Sequence, residues 1–370
     1  MTFCKDDIAN SKHDGSVSLS GIDYIEFYVG NAHQAAHFYR TTFGFRPVAY
    51  AGLETGERDR ASFIMEQGRI RLILTAAISP ESQIAEHVRL HGDSVKDIAF
   101  VVDDAAQAFT SAVKRGATPV MEPTLFEGPE GRLIKSTVAA CGSAVHSFIQ
   151  RDFSRQAFFP QYQALGNTSA ALSTGLKEID HIAISVEKGA LDRWIEFYQN
   201  VFGFHQSHKE DISTEYSAMN SRVVQSGSVK FPIMEPAQGR RKSQIEEYLE
   251  FNHGPGAQHV AFLSDNITET VRELRKNGVD FLISPETYYQ MLGGRIGEID
   301  EDINLLRELN ILVDCDQWGY LLQIFSKPLQ SRPTLFIEVI QRVGARGFGG
   351  GNIRALFEAV EREQTIRGNL

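Results

Sequence analysis

Two histidines and one glutamate are the residues of this chain best placed to do chemistry. His181 opens the apolar run HIAISV (181–186), and His259 opens HVAFLS (259–264). Glu338 interrupts TLFIEVIQR (334–342), an otherwise apolar strand candidate. Strand alternation places Phe336, Glu338 and Ile340 on one face. A lone carboxylate on a buried face is costly unless it is paired or metal-bound. Two imidazoles and one carboxylate on one side of an ion leave three coordination positions open. That is the facial triad of non-haem Fe(II) oxygenases. Either histidine alone reads as an ordinary strand residue, in the core or at the surface. What changes the weighting is the position they share in an internal repeat.

The chain says nearly the same thing twice. GIDYIEFYVGNAHQAAHFYRTTFGF (21–45) and EIDHIAISVEKGALDRWIEFYQNVFGF (178–204) are each a short apolar strand, an amphipathic helix and an FGF turn. DSVKDIAFVVDD (93–104) lines up with GAQHVAFLSDN (256–266), and both lead through a helix to similar turns, KRGATPV and RKNGVDF. Tyr24 therefore stands opposite His181, and Asp97 opposite His259. Internal repetition constrains the fold before any other argument. Here it points to duplication followed by specialisation, with metal chemistry confined to the second copy. Both histidines are expected near the starts of their strands, facing a cavity shared by paired modules. His87 and His91 are helically spaced but have no third ligand, so a solvated helix face is expected. His205 and His208 follow the second FGF turn and are expected to be exposed.

A chain of 370 residues is long enough for two domains, each with its own core. The formal net charge of −10 disfavours a nucleic-acid or anionic-membrane partner. No apolar run is long enough to span a bilayer, and the polar start lacks the apolar core of a secretory signal. Three widely spaced cysteines, Cys4, Cys141 and Cys315, fit a reducing cytosol, so a cytoplasmic location is expected. The expected organisation is a disordered leader (1–20), a non-catalytic N-terminal domain (21–152), a linker (153–175) and a metal-binding C-terminal domain (176–370). Strands are expected at SRVVQS, VKFPIM and YLLQIFS as well as at the three runs above. In GFGGGNIRALFEAVEREQ, Asn352 is a plausible N-cap and Ile353, Leu356, Phe357 and Val360 mark one apolar helix face. The glycine run before that helix can serve as a hinge or as a simple connection.

The second half also carries longer motifs: KSQIEEYLEFNHGPGAQHVAF, GYLLQIFSKPLQSRPTLFIEVIQR and GFGGGNIRALFEAVEREQTIRGNL. On these stretches the chain resembles the α-keto acid dioxygenase family that comprises 4-hydroxyphenylpyruvate dioxygenase and 4-hydroxymandelate synthase. The resemblance covers most of the chain and is densest from Ser217 onward. It implies an α+β vicinal-oxygen-chelate fold: two domains of paired βαβββ modules forming half-open barrels, with a C-terminal helix over the active site. It implies that His181, His259 and Glu338 hold one Fe(II) per chain. It also implies that Ser221, Gln244, Gln258, Gln323, Phe325, Phe336 and Phe348 line the substrate pocket. Aromatic side chains would hold a ring, and neutral amides would orient polar groups without adding charge. Apart from the resemblance, Gln244 reads as an ordinary polar residue. The expected partners are 4-hydroxyphenylpyruvate, O2 and further copies of the chain in a homo-oligomer.

Two pocket positions depart from the dioxygenase pattern. Met234 stands where PINEP has its asparagine, and Ile353 stands where GNF has its phenylalanine. Both changes, with AMNSRVVQS (218–226), are synthase-like. KSQIEEYLEF, YLLQIFSKPLQSRPT and EREQTIRGNL are more dioxygenase-like but lie mostly outside the pocket. The expected product is 4-hydroxymandelate with CO2; the alternative is homogentisate. A reading from another class is a metal-free binding protein on the same scaffold.

Overall fold

The computed structural model describes residues 17–128, 131–151, 159, 161–166, 173–284, 286–292 and 296–368. The first half runs β1 (Gly21–Tyr28), α1 (Ala32–Phe43), β2 (Arg46–Ala51), β3 (Arg60–Gln67), β4 (Ile70–Ala77), α2 (Gln83–His91), β5 (Ser94–Val101), α3 (Ala105–Lys114), β6 (Pro119–Gly128), β7 (Gly131–Ala139) and β8 (Val145–Arg151). A short β9 (Gln163–Ala164) follows in the connection. The second half repeats the plan: β10 (Leu176–Ser185), α4 (Leu191–Phe202), β11 (His205–Ser213), β12 (Ala218–Ser226), β13 (Val229–Pro236), α5 (Gln244–Phe251), β14 (Gly256–Ser264) and α6 (Ile267–Lys276). It continues through α7 (Glu286–Gln290), α8 (Ile303–Glu308), β15 (Leu312–Asp316), β16 (Gly319–Phe325) and β17 (Phe336–Val343) to the terminal helix α9 (Gly350–Arg367).

Each half makes one curled sheet. The strand orders are β6-β7-β8-β5-β1-β4-β3-β2-β9 and β15-β16-β17-β14-β10-β13-β12-β11, the same sequence of positions with β9 added to one edge. The fold is thus the expected α+β vicinal-oxygen-chelate architecture, two half-barrels with a C-terminal helix. The FGF turns work alike in both. Gly44 and Gly203 end α1 and α4 with φ of 77° and 72°, a left-handed conformation that glycine adopts without Cβ strain.

The two halves share one hydrophobic core. Phe100 and Phe148 pack on Phe202 from α4, and Phe45 meets Phe262. His146 on β8 lies inside this layer, stacked on Phe231, with Nδ1 3.1 Å from Ile98 O and Nε2 2.9 Å from Tyr198 OH. Those partners define a neutral ring that donates from Nδ1 and accepts at Nε2. Burial pushes its pKa down to about 4. A folded value below the ordinary one near 6.5 means that the unfolded chain binds the proton first. Stability from this group is therefore full above about pH 6.5 and falls as pH drops toward 4. Between pH 7 and 5 the loss should be about 2 kcal/mol, at 1.36 kcal/mol per unit. Denaturant unfolding at the two pH values should show that difference shrinking by a similar amount in His146→Gln.

The structure corrects several local expectations. His181 and His259 sit within β10 and β14 rather than at their starts, because both strands begin before the apolar run. His87 and His91 are buried, not solvated: His87 pairs with Ser94 Oγ at 2.9 Å, and His91 reaches across to Asn252 O. His205 is exposed as expected, but His208 is half-buried with its ring 5.5 Å from that of Phe348. Residues 1–16 of the proposed leader lie outside the described residues, whereas Val17 is buried in the core and Ser20 N bonds to Val101 O. In the connection, Phe159 and Tyr162 pack into the inner cluster of the first half-barrel beside Tyr24. Cys4 lies outside the described residues; Cys141 is buried and Cys315 exposed. Among the described residues, no helix is long and apolar enough to cross a membrane.

Candidate metal centre

Three neighbouring strands bring the triad together. β10 runs antiparallel to β14 with His181 opposite Ala261. β14 runs parallel to β17 with Ala261 opposite Glu338. His181, Ala261 and Glu338 thus form one row across the sheet, and His259 lies two residues along β14 on the same face. The small Ala261 side chain at the centre of the row leaves room above it. Glu338 Oε2 stands 3.1 Å from His181 Nε2 and 3.3 Å from His259 Nε2. One ligand atom from each of the three lies within 4.8 Å of the others. Ligands about 2.1 Å from an ion, at right angles to one another, would lie about 3.0 Å apart. The donor set and its spacing fit a divalent transition metal.

The surroundings hold the ligands in the forms a metal needs. Burial alone would raise the Glu338 carboxyl, but the two imidazoles beside it bring it down to about 2. Its second oxygen, Oε1, accepts from Gln323 Nε2 at 2.8 Å, which leaves Oε2 for the centre. Burial lowers His259 despite the neighbouring carboxylate and favours the neutral ring. That ring stacks on Phe336 at 4.8 Å. For His181, burial is outweighed by Glu338 and Asp180, which raise its pKa. Asp180 Oδ1 accepts from His181 Nδ1 at 2.8 Å and directs Nε2 toward Glu338. Arg342 grips Asp180 with Nε and Nη2 at 2.7 and 2.8 Å. The Arg342 guanidinium also donates to Gly347 O at 2.6 Å and lies over the Phe348 ring.

A tight cavity of about 40 Å³ opens onto the triad. Ser221, Met234, Gln244, Gln258, Gln323, Phe325, Phe348 and Ile353 all line it. Phe336 does not; it stands behind His259 as a stacking partner. Met219, Val223, Pro232, Leu356 and Glu210 complete the wall and were not expected from sequence.

Helix α9 forms part of that wall through Ile353 and Leu356. Asn352 is not its N-cap. Gly349 holds that position, and Asn352 is buried in the first turn. There its Nδ2 donates to Gln323 Oε1 at 2.9 Å, while its Oδ1 accepts from Tyr288 OH at 2.6 Å. The start of α9 is thereby wired through Gln323 to Glu338. Its far end is held by Thr214 and Ser217, which donate to Glu361, and by Arg367, which pairs with Glu247. Asp180 and Arg342 escaped the sequence reading, and Asn352 was read there only as a cap. A signal for the first two exists: Asp180 precedes His181 as Asp23 precedes Tyr24, and VIQR (339–342) repeats FIQR (148–151).

The fold and the triad define the class first: residues 178–304 match the glyoxalase/bleomycin resistance protein/dioxygenase superfamily. Residues 13–162 match the N-terminal family of hydroxyphenylpyruvate dioxygenase. The chain is 42% identical to 4-hydroxyphenylpyruvate dioxygenase of Yarrowia lipolytica, over 95% of this chain and 94% of that one. It is 41% identical to the enzyme of that name from Dictyostelium discoideum, over 95% of this chain and all of the other. Among solved structures it resembles a triple variant of 4-hydroxymandelate synthase from Streptomyces coelicolor, with TM-score 0.86 and 38% identity, covering 94% and 99% of the two chains. The chain belongs to the 4-hydroxyphenylpyruvate dioxygenase family. It is a non-haem iron, α-keto acid dioxygenase, and the reading as a metal-free binding module falls away.

Proposed function

We propose that this enzyme converts 4-hydroxyphenylpyruvate and O2 into 4-hydroxymandelate and CO2. The observation that carries the proposal is the apolar wall built by Met234 and Ile353 in the cavity at the triad. Both pack with Ala183, Met219, Ile245 and Phe357. His181, His259 and Glu338 would hold one Fe(II) per chain. When bound there, the iron would supply the Lewis-acid and redox chemistry that oxidative decarboxylation and hydroxylation of a keto acid with O2 require.

The remaining work falls to the chain's own side chains. Among the described residues the cavity wall carries no lysine or arginine, so a bound Fe(II) would supply the counter-charge for a substrate carboxylate. Ser221, Gln244, Gln258 and Gln323 offer neutral donors and acceptors to orient the substrate's polar groups. Gln244 Oε1 is buried with no partner among the described residues, an acceptor free for a ligand. Phe325 and Phe348 contact the aryl ring, with Phe336 supporting His259 from behind. Ile353 and Leu356 on α9 exclude water from the reacting atoms. With no asparagine at 234 and no flat ring at 353, the aryl group can tilt and present its benzylic carbon to the oxidant.

A second reading, ring hydroxylation and side-chain migration to homogentisate, is favoured by the names of the curated relatives, at 39–42% identity. The two differ by little energy, since about 1.4 kcal/mol between competing barriers gives a tenfold product ratio. Chromatography of the products from purified enzyme, Fe(II), O2 and 4-hydroxyphenylpyruvate should show mainly 4-hydroxymandelate. Ile353→Phe, alone or with Met234→Asn, should move flux toward homogentisate. Homogentisate as the main product of the unmodified enzyme would reverse the assignment.

A further inference from the structure

The strand registers map the metal centre onto the first half residue by residue. Tyr24 pairs with Ala99 as His181 pairs with Ala261. Ala99 pairs with Ser147 as Ala261 pairs with Glu338. Lys135 pairs with Ile149, two residues past Ser147, as Gln323 pairs with Ile340, two residues past Glu338. The inner positions His181, His259, Glu338 and Gln323 are thus filled in the first half by Tyr24, Asp97, Ser147 and Lys135.

The outer shell has not changed in kind. Asp23 precedes Tyr24 and is gripped by Arg151, with Nε at 2.6 Å, as Asp180 is gripped by Arg342. Arg71 adds a second cation to Asp23 at 2.7 Å, where Lys230 stands 3.5 Å from Asp180. Arg71 and Lys230 occupy equivalent places, each three residues before the partner of Phe27 or Ile184 in the adjacent strand. A carboxylate and two cations thus stand in the same places around both inner sites, as descent from one duplicated centre would leave them.

We propose that the first half keeps the shell of a second metal centre, and that the Lys135 ammonium is its built-in cation in the metal's place. This inference rests on His181, His259 and Glu338 being the ligands in the second half. The Lys135 Nζ lies 2.7 Å from Tyr24 OH and 3.0 Å from Asp97 Oδ2, so it contacts the residues at two of the three ligand positions. Ser147, at the third, donates its hydroxyl to the same Asp97 oxygen at 2.6 Å. The Asp97 side chain is 2% exposed and that of Lys135 17%. Asp97 Oδ1 is buried with no partner among the described residues, so the ammonium is the positive charge bonded to this carboxylate. Phe159 closes the site, edge-on to Tyr24 and 5.7 Å from the ammonium. A lysine is carried by the chain itself, so the buried Asp97 needs no metal as its counter-charge.

Two measurements test the assignment, the first on the full-length iron-loaded enzyme and the second on the full-length chain freed of metal. The first is a double-mutant cycle of Lys135→Met and Asp97→Asn, read by denaturant unfolding. Breaking a buried pair strands a charge. Lys135→Met alone should raise the unfolding constant on the order of a hundredfold or more, and adding Asp97→Asn should recover most of that loss. Equal stability of Lys135→Met and the parent would refute the proposal. So would additivity of the two changes. The second restores the ligands with Tyr24→His, Asp97→His, Ser147→Glu and Lys135→Gln together. Cobalt titration, followed by absorption and by metal analysis, should rise from about one to about two equivalents per chain. A folded quadruple variant that still binds one equivalent would also refute it; if that variant fails to fold, the cycle decides. Retained cobalt binding in a Glu338→Ala parent would overturn the native-centre reading, whereas its loss leaves that reading standing and any failure of the cycle or the quadruple variant falls on this proposal alone.

Discussion

Glu338→Ala is expected to leave the protein folded but unable to retain Fe(II), with kcat/KM at least about a thousandfold lower. The carboxylate would be one of the three protein ligands and the anion among them, and both imidazoles face the same oxygen. A thousandfold is about 4 kcal/mol of lost transition-state stabilisation, modest for removal of a charged ligand. Its loss also frees Gln323 Nε2 from the acceptor that holds it. Iron content after desalting and keto-acid-dependent O2 uptake are the measurements. A Glu338→Ala protein with parental iron content and turnover would remove the triad as the seat of the chemistry.

Asp180→Asn should weaken Fe(II) or Co(II) affinity by about 10- to 100-fold, the usual effect of removing a charged partner behind a metal-bound imidazole. Asparagine keeps an acceptor for His181 Nδ1 but loses the charge that Arg342 and Lys230 share. The Arg342 side chain is largely buried, so the change also leaves a cation without its counter-ion. Because Arg342 holds Gly347 O as well, the loop leading into α9 should loosen with it. Competitive metal titration gives the affinity, and hydrogen exchange at residues 344–349 gives the loop. Unchanged affinity would show that Asp180 serves packing alone.

The repeat made much of this molecule legible. Two copies of a strand-helix-turn pattern predict two equivalent sheets, and a histidine present in only one copy marks where they diverge. Glu338 was readable because a carboxylate interrupts an apolar strand. What stayed hidden depends on contacts between distant strands. Asp180 and Arg342 are 162 residues apart and meet only once β10, β14 and β17 lie side by side. Asn352 looks like a cap because its type suits one, yet Gly349 takes that place and the amide turns inward to Gln323. His87 and His91 have helical spacing that fits a wet face or a dry one; only the second half, packed against His91, decides.

The shared core between the halves has a consequence for what evolution can discard. Phe100, Phe148 and His146 from one half interlock with Phe202, Tyr198 and Phe231 from the other. A gene trimmed to its metal-binding portion would encode a domain with that aromatic face open to water, and such faces seek partners or aggregate. The first copy therefore serves as a wall, whatever becomes of its own pocket. Its interior is free to drift toward lysine, tyrosine and serine while its exterior is not, and one duplicated unit comes to record two different histories of selection, layer by layer.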